Sequence, residues 1–430
     1  MSNEGRGNPY VGPRAYEEGE RQYFFGRDQE TRQLAALVIA QRAVVLYAPS
    51  GAGKTSLLRA GVVPLLKDQK RIVVLPIARV SGNLLPGAAS VDNIYAYNLL
   101  VTALGDGAEP AALATRTLVD GLAPLLEPAP DETRVRPRLL ILDQFEELFT
   151  THPERYPERS DFFRQLQECL LRYPQLSVLF SMREDYIAHL DFYAAQMPDR
   201  LRTRFRMERL AADAALDAIR RPAADAGIPF APGVAEGLVD DLRRVQQRQV
   251  EPVTAIPGDG PPPVQAVLGL FVEPVHLQII CHQLWERLPE GRTQIVADDV
   301  QRFGDVDEAL ADFYESALAR ATAGGLIGDR QLRRWVDAHL ITPARTRGLV
   351  YRNEQSGQTD GLPNAVAATL NDAYIIRAEM RSGDTWYELA HDRLVEPILA
   401  ANQAWLAQHP NPVAAAYEAY TVAGHGSAHL

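Results

Sequence analysis

Cysteine is nearly absent from this chain: of 430 residues only Cys169 and Cys281 carry a thiol. Two cysteines build no disulfide framework, and neither has metal-ligand spacing. Cys169 shares an apolar helical pattern with Phe162, Phe163, Leu166 and Leu170, and Cys281 lies in the similar run Leu277 to Leu284. Both read as buried thiols of a reducing compartment, and the adjacent Cys281-His282 is a lone pair and no zinc site. Long apolar runs are missing too, with none near the roughly 18 residues that span a bilayer. The N-terminus MSNEGRGNPYVGPR lacks the apolar core of a secretory leader. The expectation is a cytoplasmic protein without membrane contact. Positive charge is in deficit, 44 basic against 55 acidic residues for a net charge of −11, which argues against general nucleic-acid binding but leaves room for a local basic patch. Scarcest among the charged residues is lysine, found only at positions 54, 67 and 70. A chain that otherwise uses arginine keeps lysine where a guanidinium will not serve.

What is present suits an ordinary globular protein, 46% hydrophobic and 23% charged, long enough for two to four domains of roughly 100–200 residues. No internal repeat of any period is visible. Residues 1–22, rich in Gly, Pro, Asn and Glu, read as an extended N-terminal arm or loop. Residues 23–210 alternate strand-like runs (Ala43–Tyr47, Arg71–Ile77, Leu139–Leu142, Ser177–Phe180, Phe205–Leu210) with helical periodicity at Asp28–Gln41, Thr55–Leu66 and Ser160–Leu171. Such alternation predicts an α/β domain, a parallel sheet with helices on both faces. Residues 81–137 read as an insertion of loops and short helices, one near Val91–Leu104. Residues 211–325 read as a helical lid domain interrupted by the Pro- and Gly-rich loop Glu251–Val264. Residues 326–405 combine helical patterns at Gln331–Leu340 and Asn364–Asn371 with strands at Ile375–Met380 and Trp386–Leu389 turning at Gly383, which predicts a winged helix. Residues 406–430 read as a flexible Ala- and Gly-rich tail.

The sharpest motif is Ala48-Pro49-Ser50-Gly51-Ala52-Gly53-Lys54-Thr55. It follows a strand and opens a helix, as a Walker A phosphate loop requires, with Ala48 in place of the first glycine. Gly51 and Gly53 let the backbone curl so that successive N–H groups face a β-phosphate, and the helix N-terminus adds its dipole. Lys54 reaches the β- and γ-phosphates and the Thr55 hydroxyl binds Mg²⁺. Ser56 completes the loop.

The apolar run Leu139–Leu142 ends in Asp143-Gln144-Phe145-Glu146-Glu147. An Asp at the C-terminal end of a buried strand beside a phosphate loop holds Mg²⁺ through water. One of the two glutamates then orients and deprotonates the attacking water. Glu146 is the better placed in sequence and Glu147 the alternative; capping of the next helix by Asp143 is the structural reading. Arg183 ends the strand Ser177-Val178-Leu179-Phe180-Ser181-Met182, where it can report the γ-phosphate or simply pair with Glu184 or Asp185. No guanine-reading NKxD motif occurs, so adenine is the expected base: ATP/ADP with Mg²⁺.

These motifs do not stand alone. NPYVGPRAYEEGERQYFFGRD, VVLYAPSGAGKTSLLRAGVVPLL, LLILDQFEELF, VLFSMREDY, VEPVHLQIICHQLW and YELAHDRLVEPI run in order from about Asn8 to Trp405. In this combination the chain resembles the STAND class of signal-transduction ATPases, specifically the bacterial novel-STAND group. The resemblance implies an ASCE-type P-loop sheet followed by a helical and a winged-helix domain. It implies that Phe25-Gly26-Arg27 is the hhGR element whose backbone lies against adenine. Pro274 is similar to the proline of the GxP motif, with Val272 where that motif has Gly. His391-Asp392 resembles the Met-His-Asp motif of related NLR and apoptotic ATPases, with Ala390 replacing Met; its His would contact the ADP β-phosphate and hold a closed state.

The implied mechanism is a switch in which exchange of ADP for ATP opens the molecule and exposes an oligomerisation surface, with slow hydrolysis as the reset. Moving such an equilibrium from 1:99 to 99:1 takes about 5.5 kcal/mol of differential binding. The expected setting is bacterial signalling or anti-phage defence, with the effector or sensor on separate chains or on parts of a longer protein. Two other classes compete. A nucleotide-gated DNA-binding regulator would use Arg330, Arg333, Arg334, Arg345, Arg347 and Arg352, though arginine is frequent throughout and a solvated face explains them as well. A scaffold would bind ATP without turnover.

Overall fold

The hexapeptide Ala43–Ala48, AVVLYA, carries apolar side chains on both of its faces and forms the buried interior strand β1. Around it the computed structural model builds a five-stranded parallel sheet from β2 (Val73–Val74), β3 (Arg138–Leu142), β4 (Leu176–Arg183) and β5 (Arg204–Arg206), in the order β2-β3-β4-β1-β5. The structure describes residues 7–69, 72–81, 90–105, 109–128, 135–247, 265–303, 306–343, 345, 347–353, 356–381, 384–390 and 394–409. The chain divides into two compact units, Met1–Val300 and Gln301–Leu430.

In the first unit, α1 (Asp28–Ala40) precedes β1. After it, α2 (Lys54–Ser56), a π-helical turn (Leu57–Val62) and α3 (Val63–Gln69) continue one another. Leu34, Val38, Leu57, Leu58, Val62 and Leu66 from these helices close over Val44 and Leu46 with at most 1% exposure. Helices α4 (Ile94–Leu104), α5 (Pro110–Leu113) and α6 (Leu118–Leu126) occupy the expected insertion. Then come α7 (Glu147–Thr150), α8 (Pro157–Arg172) and α9 (Ile187–Asp191). Cys169 is buried on α8, and burial pushes its thiol up to about 12.

The fifth predicted strand is split. Only Arg204–Arg206 joins the main sheet, while β6 (Leu210–Ala211) pairs antiparallel with β9 (Phe271–Val272). Met207 N still bonds to Tyr47 O at 2.9 Å, so the chain leaves the sheet one residue later and turns into a helical layer. That layer holds α10 (Ala212–Asp225), α11 (Val234–Arg243), α12 (Pro274–Glu286) and α13 (Ala297–Phe303), with the antiparallel pair β7 (Arg244–Gln247) and β8 (Gln265–Leu268) before β9. The expected loop Glu251–Val264 lies outside the described residues.

The N-terminal segment, read as an extended arm or loop, includes a 3-10 helix at Glu18–Tyr23 and contributes Tyr10 to the core. Tyr10 is 1% exposed, packs edge-on against Trp285 and donates its hydroxyl to Ile219 O. Asn8 Nδ2 donates to His282 O and Val11 N to Gln278 Oε1. Farther on, Glu17 and Glu18 pair with Arg59 and Lys67 of the phosphate-loop helix.

The second unit packs α14 (Val306–Thr322), α15 (Asp329–Trp335) with its π-helical extension Val336–Leu340, α16 (Asn364–Asp372) and α17 (Val395–Gln408) with an antiparallel sheet. Its strands β10 (Leu349–Asn353), β11 (Gln358–Thr359), β12 (Leu362–Pro363), β13 (Ile376–Arg381) and β14 (Asp384–Leu389) run β12-β11-β10-β14-β13. The expected two-stranded turn is there as β13–β14, with Gly383 outside the described residues. Strand β10 escapes the reading because LVYRN alternates for too few residues.

Most of the arginines considered for DNA are engaged within this unit. Arg333 is 1% exposed and bonds Glu315, Asp329 and Asn402 beneath the Trp405 ring. Arg330 reaches His409 O, Arg345 pairs with Glu396, Arg347 with Glu388, and Arg352 bonds the Tyr387 hydroxyl. No helix among the described residues is long and apolar enough to cross a membrane.

One glycine is fixed by space. Gly26 has φ +80°, and a Cβ there would stand 2.2 Å from Ala214 O of α10. Gly26→Ala is expected to cost at least about 2 kcal/mol, since both the backbone and α10 must move. Calorimetry should show a clear fall in Tm, whereas Gly19→Ala, with nothing within 4 Å, leaves it unchanged.

Candidate functional site

Register alone assembles one edge of the sheet. Ala48 of β1 stands opposite Arg183 of β4, and Leu142 of β3 opposite Phe180 of β4. The residues that follow these strands therefore meet at their C-terminal ends, with β4 between the loop-bearing strand and the acidic one. The loop after β1 turns at Gly51 (φ +76°) and Gly53 (φ +95°), which L side chains rarely tolerate. Lys54 then opens the helix, so the N–H groups of its first turn have no intrahelical acceptor and favour an anion.

Asp143 is 1% exposed and both of its oxygens are used. Thr55 Oγ1 donates to Oδ2 and Ser181 Oγ to Oδ1, each at 2.8 Å. Phe145 anchors the turn that follows: it is fully buried among Phe149, Phe162, Phe163 and Phe180, and its N–H bonds Ser181 O. Gln144 adopts φ +53° to make this possible. With Phe145 pointing inward, Glu146 is carried to the phosphate-loop side, where its Oε2 accepts the Arg183 N–H at 3.2 Å.

Burial raises the Glu146 carboxyl above its ordinary range, opposed by Lys54. Burial likewise lowers the Lys54 ammonium, opposed by Glu146 and Asp143. Glu147 is turned elsewhere: it accepts the Ser81 hydroxyl, and burial pushes it up to about 6. The Arg183 guanidinium pairs with Asp185 at 2.7 Å, the structural alternative considered above, while its backbone serves Glu146.

Of the more distant candidates, Arg27 meets the same loop. Arg27 is 5% exposed, and its Nη2 donates to Ala52 O of the loop and to Glu208 O beyond β5. Phe25 lies beneath the Arg221 guanidinium, 4.1 Å from it. Pro274 is the first residue of α12, and the preceding Glu273 reaches Gly51. Ser56 accepts the Tyr16 N–H, tying the N-terminal segment to the phosphate-loop helix. His391 lies outside the described residues.

A phosphate loop, a buried strand-end Asp and its adjoining glutamate, separated by one strand and braced from the N-terminal side, agree with a match to one family over nearly the whole chain. Residues 9–411 match the family described as novel STAND NTPase 1. The chain belongs to that family. This novel STAND NTPase is thus a P-loop NTPase. None of the curated proteins compared with it matches. Among solved structures it is similar to the Aeropyrum pernix ORC2 protein in its ADPNP-ADP complexes, at 15% identity and TM-score 0.43 over 89% of this chain and 95% of that one. It is also similar to a Walker-type ATPase of Pyrococcus abyssi, at 12% identity and TM-score 0.44 over 91% and 100%.

Sequence reasoning missed Ser181 as a partner of Asp143, Ser81 as a partner of Glu147, and the Arg27 side chain as a brace. Ser181 had a signal, a hydroxyl in an otherwise apolar strand end. Arg27 and Ser81 act through loops whose course no local pattern discloses.

The position of Glu147 has a consequence for stability. Its native pKa is raised above the ordinary 4.5 to about 6. The folded state therefore disfavours the charged form, and the penalty is absent below pH 4.5 and complete above pH 6. Glu147→Gln should be more stable than wild type at pH 8 by at most about 2 kcal/mol. The gap should close as pH falls from 6 to 4.5 in denaturant titrations, and a gap independent of pH would contradict this placement.

Proposed function

We propose that this NTPase is an ATP/ADP-dependent switch with slow hydrolysis, in which the phosphate loop reads the nucleotide and Glu146 is the general base. The observation that carries the reading is the shared Asp143 carboxylate, held by Thr55 and Ser181, with Glu146 beside it on the Lys54 side of the turn. Lys54 and the first turn of the helix bind and orient the phosphates. Glu146, its carboxyl raised above its ordinary range by burial, accepts a proton from the water that attacks the γ-phosphorus, and ADP and phosphate are the products.

Thr55 and Asp143 present hard oxygen donors 2.8 Å apart, a set that suits Mg²⁺. That ion would neutralise charge on the β- and γ-phosphates. Phe25, Gly26 and Pro274 are proposed to border the base, Arg27 to brace the loop, Arg183 to sense the terminal phosphate, and His391 to favour the ADP state. We further read residues 326–405, helices with the β13–β14 hairpin, as a winged helix that follows a helical lid at residues 211–325, and the chain as cytoplasmic. Oligomerisation in the ATP state, with an effector or sensor supplied by other chains in signalling or antiviral defence, completes the proposal. The DNA-binding alternative has less support, because five of its six arginines are engaged with groups of their own unit.

Lys54→Ala is expected to abolish ATP and ADP binding in calorimetry, and unchanged affinity would refute the assignment. For Glu146→Gln, ATP binding should persist while phosphate release falls about 100-fold or more. Equal release by variant and wild type would leave a nucleotide-binding scaffold as the better description.

A further inference from the structure

Glu273 has no role in the chemistry above, yet its carboxylate stands against the phosphate loop. It is fixed from both sides along the chain. The preceding strand β9 is paired to β6 through Val272–Leu210 and Phe271–Ala211, and Glu273 O accepts Leu277 N–H at 3.2 Å to open α12. Its Oε1 pairs with Nε of Arg209, the residue before β6. Its Oε2 lies 3.7 Å from the point where a Cβ on Gly51 would be. The side chain is 14% exposed and that of Arg209 35%. Arg27 closes a ring from the other side: it bonds Ala52 O of the loop and Glu208 O, next to Arg209. The carboxylate is thus held at the loop tip by two strands, a helix start and a counter-charge.

An anionic side chain at the rim of a polyphosphate site acts unequally on its ligands. A triphosphate brings one more phosphoryl group and its charge to the loop than a diphosphate does. In a partly buried setting that repulsion is weakly screened. Arg209 offsets it, so the pair, more than the carboxylate alone, sets its size. We propose that the Arg209–Glu273 pair is a specificity-determining element that biases the phosphate loop toward nucleoside diphosphate over triphosphate. This deepens, and rests on, the reading of the loop as the ATP/ADP site. In such a switch the bias would hold the resting state until the pair is disturbed, because a ligand shifts an equilibrium only by its differential affinity.

The test compares Kd for ADP and for a non-hydrolysable ATP analogue, both with excess Mg²⁺, on the full chain by calorimetry. Glu273→Gln is expected to lower the ratio of analogue Kd to ADP Kd about fivefold, and Arg209→Met, which leaves the carboxylate uncompensated, to raise it by a similar factor. Both effects should shrink as ionic strength rises. Ratios within about twofold of wild type in both variants, or equal shifts for the two nucleotides, overturn the proposal. Should Glu273→Gln fail to fold, as near-UV circular dichroism would show, Arg209→Met decides alone. Wild-type protein that binds neither nucleotide would sink the ATP-site reading itself. Binding of both nucleotides with an unmoved ratio sinks only this inference.

Discussion

A single buried carboxylate organises the sheet edge. Asp143 closes β3, yet its two oxygens are taken by a hydroxyl from the loop-bearing helix and a hydroxyl from β4. A carboxylate at 1% exposure is costly unless such donors surround it. Its satisfaction therefore requires that the helix after β1 fold back over the ends of β3 and β4. The register sets the stagger, Leu142 opposite Phe180 and Ala48 opposite Arg183 farther along β4. Removing either hydroxyl would leave a buried acceptor short of a partner, and without that of Thr55 the loop-bearing helix would lose this tie to the acidic strand. Stability of the edge and readiness of the site are here the same interaction.

The turn after Asp143 shows how packing selects between two adjacent glutamates. Phe145 enters a cluster of four phenylalanines, which fixes the rotation of the backbone about it. Glu146 is then left among Lys54, Asp143 and Arg183, and Glu147 faces Ser81 and Arg79. Charge alone would not separate the two, since both are raised by burial. Their partners do.

The strong signals in the sequence were those with a local cause. The strand-loop-helix context of Ala48–Thr55 and the apolar run ending at Asp143 follow from hydrophobic period and backbone requirement, and both stand in the structure within a residue or two of where they were read. The parallel sheet follows from the alternation of such runs. Less legible was anything that depends on two distant segments meeting. The split of Phe205–Leu210 between two sheets is decided by Phe271–Val272, some sixty residues away in sequence. The N-terminal segment looked like a loose arm because its composition is that of a loop. Only the receiving residues Ile219, Gln278, His282 and Trp285 make it core.

The scarcity of lysine acquires a physical meaning from the comparison of Lys54 with Arg27. Arg27 is a brace: its planar fork serves Ala52 O, Glu208 O and Glu30 at once, a task for fixed donors in a fixed plane. Lys54 has the opposite task. In the proposed function a phosphate chain enters, is gripped and leaves, so the cation would follow its ligand on a flexible stem and present a compact charge. Burial already penalises that charge, and the nearby carboxylates only partly restore it. An incoming polyphosphate relieves the penalty. At this site the chain thus has arginine where the geometry is fixed and, in the proposed function, lysine where a ligand would be followed.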